Sequence, residues 1–166
     1  DKETMSIVCP SDWPVACVGD SITRGDASHE PGDGTHFPYK SKTAGRGNYP
    51  AQLQALLGVR VSNFGHGGCS AINKSGHTCR RYLEYHKALQ SSPSVVLLMV
   101  GTNDAKDVTF DREGFQPALK RIARDFLKLK SHPSVLLIAP PPVIKVESLG
   151  IRADYLAAIV PQVKQV

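Results

Sequence analysis

Four short apolar segments alternate with segments of helical patterning along this 166-residue chain. Strands and helices that alternate in sequence form a parallel sheet, because each crossover helix returns the chain to the same edge of the sheet. We therefore predict one three-layer α/β/α domain over residues 1–166, with a flavodoxin-like parallel sheet in the strand order 2-1-3-4. The four predicted strands are residues 15–19, 59–64, 94–100 and 135–139.

The predicted helices follow from the spacing of apolar residues and from the residues at their ends. Pro50 suits the first turn of a helix that Gly58 ends. Its apolar face is expected to consist of three leucines, namely Leu53, Leu56 and Leu57. Pro117 either lies near the first turn of a later helix or marks a delayed start, and Pro161 is expected to interrupt the final helix. The later helices are predicted at residues 78–90, 112–130 and 152–160.

The composition is typical of a globular domain and excludes several classes of protein. Apolar residues make up 41% of the chain and charged residues 21%. No apolar run is long enough to span a bilayer. The formal net charge is +5, but the basic residues do not form a stripe interleaved with aromatic side chains. We therefore predict no nucleic-acid partner.

The four cysteines are not arranged for metal binding or thioredoxin-like redox chemistry. No Cys-x-x-Cys pair occurs, and no pair of histidines has a reliable metal-ligand spacing, so we predict neither a metal nor a cofactor. Cys17 is expected to behave as a small buried hydrophobe. Cys69 and Cys79 flank a polar loop and can form a disulfide. The compartment stays open, with a secreted protein favoured over a cytoplasmic one.

A serine directly follows the first predicted strand. Gly19-Asp20-Ser21-Ile22-Thr23 begins where that strand ends, and open α/β sheets bind their ligands at the carboxyl ends of their strands. Ser21 is therefore a candidate nucleophile, provided that a base can reach it. Taken alone, the same residues are better explained by a strand followed by a helix with the serine as its N-cap.

Two further polar loops follow the second and third strands. They are Asn63-Phe64-Gly65-His66-Gly67-Gly68 and Gly101-Thr102-Asn103-Asp104. Each alone is explained as a turn, but the predicted topology places all three loops at neighbouring strand ends. The backbone N–H groups of Ser21 and Gly68 and the side-chain amide of Asn103 would then surround one hydroxyl. Convergent neutral donors of this kind are typical of acyl transfer.

The three blocks, in this order, resemble those of the SGNH/GDSL hydrolase family. The resemblance implies a serine hydrolase that cleaves carboxylic esters, acyl or acetyl, of a small-molecule substrate without a metal. It implies Ser21 as the nucleophile, and Gly68 and Asn103 as donors to the oxyanion. Ile138-Ala139-Pro140-Pro141 resembles the strand that follows in many members, so the likeness runs from the first strand to the end of the chain.

The family's last block, Asp-x-x-His, is absent from its expected place after a fifth strand. The chain reaches Val166 in the helix that should precede that strand. Two Asp-x-x-His strings end at His29 and His36, in the polar stretch after Ser21, where chance is the better explanation. A loop beside the cleft can still present His36 to the serine. His66 is a candidate pocket residue or base, with a turn residue as the alternative.

Two explanations for the missing base stay open. In the first, which we favour, the fifth strand is missing from this chain and a C-terminal segment or a second chain completes the domain. The apolar strand 135–139 would otherwise expose surface whose burial contributes about 25 cal/mol per Å². In the second, the chain is a degenerate member that binds an acyl or carbohydrate ligand without cleaving it.

Overall fold

A parallel four-stranded sheet in the order β2-β1-β3-β4 forms the centre of the fold, as predicted. The structure is a computed structural model and describes residues 13–26, 48–143 and 149–166. The register aligns Gly19 at the end of β1 with Gly65 of β2 and Met99 of β3, so these three strands end at the same level. The strands are β1 (Val15–Gly19), β2 (Val61–Gly65), β3 (Val95–Met99) and β4 (Ser134–Leu137).

Helices connect the strands in the order that a parallel sheet requires. The helices are α1 (Ser21–Arg24), α2 (Tyr49–Leu57), α3 (Leu83–Gln90), α4 (Arg112–Leu127) and α5 (Ala153–Val163). Short 3-10 turns at Cys79–Arg81 and Asn103–Ala105 precede α3 and α4 in the chain. No helix in the described ranges is long and apolar enough to cross a membrane.

The two faces of the sheet are buried to different extents. The larger apolar cluster packs one face against α3, α4 and α5, and its fully buried side chains include Val96, Leu98, Phe115, Leu119, Ile122, Phe126 and Ile159. The smaller cluster on the other face contains Val15, Cys17 and Val59, against which Tyr49 and Leu53 of α2 pack. The buried Cys17 thus serves as the predicted small hydrophobe.

The start of α2 follows the sequence signals, whereas its predicted apolar face is wrong in part. Asn48 caps the helix by accepting a hydrogen bond from the Ala51 N–H, and Gly58 ends it in the left-handed region with φ +66°. Leu56 and Leu57, however, are 82% and 45% exposed. The reason is that α2 meets the smaller cluster through Tyr49 and Leu53 in its first turns, so its last turn extends past the apolar surface.

Two other helix predictions need correction, and one of the two alternatives for Pro117 is wrong. The segment 78–90 is not one helix, because Tyr82 is extended (φ −92°, ψ 147°) between the 3-10 turn and α3. Pro117 does not delay α4, which begins at Arg112 and contains the proline. Pro161 does not interrupt α5, which runs on to Val163. Pro161 has no backbone N–H, so α5 lacks one hydrogen bond at this position, and its ring is exposed. Burial of Ile159 and Val163 holds the helical backbone on both sides of it.

At the β4 side of the sheet, apolar surface is exposed. Leu136 is 53% exposed, and within the described ranges no fifth strand pairs with β4. The completing segment that the sequence predicts for this edge stays a prediction.

Two glycines let α1 pack directly against the ends of the strands. A Cβ atom on Gly19 would lie 2.1 Å from the Thr23 hydroxyl oxygen and 2.4 Å from the Met99 carbonyl oxygen. A Cβ atom on Gly65 would lie 2.3 Å from the backbone nitrogen of Arg24. Real Cβ contacts are never so short, so only glycine permits this close approach of helix and strands.

We expect Gly19→Ala to destabilise the fold more than Gly58→Ala. Backbone at Met99 cannot move away from the added methyl group, so overpacking should cost about 3 kcal/mol or more. An alanine at position 58 meets no atom within 4 Å and is penalised only by its φ of +66°, at about 1 kcal/mol. Urea unfolding of both variants measures the difference. Equal losses would contradict the close-packing argument.

Candidate active site

Loops from three neighbouring strands lie together at the carboxyl end of the sheet. The backbone N–H of His66 donates to the Gly19 carbonyl at 2.9 Å, which joins the loop after β2 to the end of β1. The Asn63 side chain donates to the Thr23 carbonyl at 2.7 Å and accepts from the Gly65 N–H at 2.9 Å. Asn63 therefore links α1 to β2. Its position in the second block was evident from sequence, but its partner was not.

Ser21 is the first residue of α1 and is half-buried. Asp20 is the N-cap of this helix, since its Oδ1 accepts from the Ile22 N–H at 2.9 Å. The serine hydroxyl therefore belongs to a residue whose backbone is fixed by a cap on one side and by the β1 strand on the other. The alternative of a serine N-cap is wrong, because the strand is followed by a helix whose cap is Asp20, and the nucleophile role of Ser21 stays a prediction.

Gly68 lies in the loop after β2 with φ +81°. A Cβ atom placed on it would meet nothing within 4 Å, so the backbone conformation rather than crowding calls for glycine here. The space next to its Cα is open.

Asn103 lies in the loop after β3, in the 3-10 turn, and is buried. Its side-chain amide donates to the carbonyl of Cys69, the residue that follows Gly68, at 3.1 Å. An amide group carries two N–H bonds, so one remains to bind another acceptor. The structure thus joins the loops of Gly68 and Asn103 directly.

Asp104 makes the second link between these two loops. Its Oδ2 accepts from the Ala71 N–H at 3.0 Å and its Oδ1 accepts from the Ile72 N–H at 2.8 Å. The side chain is completely buried. From sequence Asp104 was interpreted as a turn or cap residue, and no local signal could identify partners more than 30 positions earlier in the chain.

A disulfide fixes the same loop from a third direction. Cys69 and Cys79 are bonded, with their Cα atoms 4.7 Å apart, which confirms the pairing that the sequence permitted. The Cys79 N–H also donates to the Ser70 carbonyl at 2.9 Å. The residues directly after Gly68 are therefore held by a covalent bond and by hydrogen bonds from both sides.

Two buried carboxyl groups give the site its electrostatic character. Burial raises the pKa of Asp20 to about 6, against the lowering effects of its hydrogen bond to Ile22 and of the nearby Thr102 hydroxyl. Burial likewise raises the pKa of Asp104 to about 6, opposed by the Ile72 and Ala71 N–H groups and reinforced by the charge of Asp20. The Oδ2 of Asp20 and the hydroxyl of Thr102 are buried, and no hydrogen bond of good geometry from the described residues reaches either.

His66 is fixed against α3. Its Nδ1 lies 3.0 Å from Oε2 of Glu84, and its ring stacks on Tyr82 with centroids 3.7 Å apart. No sequence pattern predicts the contact of His66 with Glu84, which is 18 positions away. His36 lies outside the described residues. The catalytic roles of Ser21, Gly68, Asn103 and either histidine stay predictions at this point.

The described part of the chain, residues 13–26, 48–143 and 149–166, contains no group of three or more His, Cys, Asp or Glu side chains that could hold a metal ion. The described loops that carry Ser21, Gly68 and Asn103 offer a hydroxyl, backbone N–H groups, an amide and carboxyl groups.

Comparison with known proteins identifies the family. The profile of the GDSL-like lipase/acylhydrolase family matches residues 17–166. The chain belongs to this family. It is also 30% identical over 151 residues to an acetylxylan esterase of Xylanibacter ruminicola, an alignment that covers 79% of this chain and 29% of that protein. The chain thus spans less than a third of that curated relative.

Solved structures of GDSL-type esterases share the fold. A carbohydrate acetylesterase family member from Sinorhizobium meliloti superimposes with a TM-score of 0.72 at 19% identity, covering 92% of this chain and 77% of that one. An arylesterase described as putative, from Agrobacterium tumefaciens, gives a TM-score of 0.69 at 24% identity, with the same coverages of 92% and 77%. At these identities the similarity shows the fold alone.

We expect the stability of Asp20→Asn relative to the natural chain to increase from pH 4 to pH 7. The folded carboxyl has a pKa near 6, above its usual 3.8, so folding becomes less favourable as pH rises through that interval. Asparagine remains an N-cap and removes this loss, which amounts to about 2–3 kcal/mol at 1.36 kcal/mol per pKa unit.

Urea unfolding at several pH values measures this difference. Asp111→Asn makes the same exchange at the exposed N-cap of α4 and is the matched control. A difference that does not depend on pH, or one of equal size in the control, would contradict the proposed cost of burying Asp20.

Proposed function

We propose that this chain provides the nucleophile and oxyanion site of a serine hydrolase that removes acetyl groups from a carbohydrate ester. The observation that carries the proposal is the joining of the three strand-end loops that bear Ser21, Gly68 and Asn103. The bond from the Asn103 amide to the Cys69 carbonyl supports it most directly, because it connects the two loops assigned to the oxyanion.

In the proposed reaction, the Ser21 hydroxyl oxygen attacks the acetyl carbonyl carbon while a base takes the hydroxyl proton. The carbonyl oxygen becomes negatively charged and accepts hydrogen bonds from the Ser21 N–H, the Gly68 N–H and the Asn103 amide. The base then protonates the departing sugar oxygen, which leaves an acetyl-enzyme. Water, deprotonated by the same base, releases acetate and restores the serine.

The general base in this proposal is a histidine outside the described residues. His66 is assigned instead to the wall of the pocket. Its ring is held on Tyr82, so the side chain is anchored toward α3. The contact of its Nδ1 with Glu84 does not decide the role, because a carboxylate at Nδ1 also orients a general base and leaves Nε2 free.

The substrate class is taken from the relatives. One is named as an acetylxylan esterase and another as a carbohydrate acetylesterase family member. A small acyl group fits a site built from short strand-end loops, whereas a long acyl chain would need an apolar channel. Acetylated xylan is therefore the proposed substrate, with short aryl esters as convenient reporters.

Ser21→Ala in the natural full-length protein is expected to abolish release of acetate from acetylated xylan without loss of folding. The alanine removes the nucleophile and leaves the Asp20 cap intact. Ser62→Ala, at a half-buried serine in β2, is the matched control and should retain activity. Acetate release, together with labelling by a fluorophosphonate probe, measures the outcome. Turnover by Ser21→Ala would rule out this nucleophile.

Asn103→Ala is expected to lower kcat by about 10²–10³-fold, the usual effect of removing one oxyanion donor, with a smaller change in KM. Steady-state hydrolysis of a short aryl ester measures both constants. If KM rises while kcat is unchanged, Asn103 binds the ground state and is not an oxyanion donor.

The comparisons do not favour the alternative of a binding module that lacks catalysis. The same probe separates the two cases. A full-length protein that binds acetylated xylan but is neither labelled at Ser21 nor active would favour the binding module.

A further inference from the structure

We propose that Asp104 is a positioning residue that holds the Gly68 loop in the conformation required by the oxyanion site. This inference deepens the proposed function and rests on it. Asp104 contacts neither Ser21 nor Gly68 in any hydrogen bond of the structure, so its effect is exerted through the loop.

The Asp104 carboxylate is held in a defined geometry. Its two oxygens accept separate hydrogen bonds from consecutive backbone N–H groups, those of Ala71 and Ile72, at 3.0 and 2.8 Å. A bidentate contact of this kind fixes the orientation of two peptide planes at once. It is also charge-assisted and therefore stronger than a bond between neutral groups.

Burying the Asp104 carboxylate beside this loop has an energetic cost. Asp104 is fully buried, forms no ion pair with the described residues, and is repelled by the charge of Asp20. A buried charge without a cation is expensive unless hydrogen bonds compensate it. If position 104 only had to pack against the loop, an apolar side chain would stabilise the fold more. We therefore infer that the role of the carboxylate is to hold the Ala71 and Ile72 N–H groups in place.

A short segment connects the anchored residues Ala71 and Ile72 to Gly68. Asn103 binds the Cys69 carbonyl, Cys69 is bonded to Cys79, and the Ser70 hydroxyl donates to the Ile72 carbonyl at 2.8 Å. Each residue from Cys69 to Ile72 therefore has a fixed partner. With Ala71 and Ile72 released, a shift of the loop would be taken up at Gly68, where φ is +81° and a Cβ atom would meet nothing within 4 Å.

Asp104→Asn tests the proposal with an almost identical shape. The amide has one acceptor oxygen in place of two, and its NH₂ group faces a backbone N–H. We expect kcat to fall by about 10²-fold, the size of effect that a misplacement near 1 Å produces, with KM changed by less than about threefold. Hydrogen exchange at the Ala71 and Ile72 amides should be faster by about tenfold or more, as expected for local opening.

Phe126→Leu is the stability control. Phe126 is fully buried in α4, and its ring packs edge-on against Tyr85 of α3 with the ring centroids 5.4 Å apart, so the substitution leaves the hydrogen bonds of the Gly68 loop in place. This variant should lose stability while its kcat stays close to that of the natural chain. A fall in kcat of equal size in both variants would assign the effect to general loss of stability and would overturn the proposal.

A second variant covers the case in which Asp104→Asn does not fold. Asp104→Glu keeps the charge and both oxygens but moves them by one methylene group, so it should fold and should show a smaller fall in kcat with KM nearly unchanged. The positioning role would be overturned if Asp104→Asn, or Asp104→Glu in its place, showed faster exchange at Ala71 and Ile72 but an unaltered kcat. The proposed function would then remain intact. A natural full-length protein without turnover or fluorophosphonate labelling would overturn both.

Discussion

Direct backbone contact between α1 and the ends of β1 and β2 is the constraint on which the site depends. Gly19 and Gly65 are paired across the two strands, and neither position has room for a Cβ atom. If either strand end were farther from α1, the first turn of the helix would lift and Ser21 would move with it. The parallel register brings the three loops together, because β1, β2 and β3 end at one level. The site is therefore a consequence of strand length and glycine placement before any side-chain chemistry is considered.

Loops built for backbone N–H donors need more support than loops that carry charged side chains. An arginine can adjust its side chain to reach an anion, but a backbone N–H can be aimed only by fixing the peptide plane. Under the proposed function, this requirement accounts for the disulfide, the Asn103 amide and the Asp104 carboxylate that together hold the residues after Gly68. It also explains why Asp20 and Asp104 are tolerated although burial raises the pKa of each to about 6. Both carboxyl groups bind backbone N–H groups, and both lower stability at neutral pH in exchange for defined loop geometry.

The sequence predicted the sheet better than the helices, and the strand ends better than the contacts between them. The four strands and their order followed from apolar runs and from the rules of parallel topology, and the disulfide was correctly allowed. The predictions that Leu56 lies on a buried face and that Pro161 interrupts the final helix were wrong, because each feature depends on how far a helix overlaps its neighbours. Asp104 was read as a turn residue because its partners, Ala71 and Ile72, are 33 and 32 positions away. Spacing within a motif carries no information about such a pair.

The difference between strand ends and long-range contacts also determines which catalytic residues can be predicted from a sequence of this kind. Ser21, Gly68 and Asn103 each lie within four residues of the end of a strand, so the sheet sets the positions of their loops and their motifs can be recognised one at a time. A general base has no such tie, since it must approach the serine from another part of the fold and its position depends on the path of a loop. His66 illustrates the point: it lies only one residue beyond β2, yet its ring is turned to Glu84 and Tyr82 of the α3 region. Proximity to a strand end fixes where the backbone is, and the side-chain partners then decide whether a residue serves the nucleophile or the wall around it.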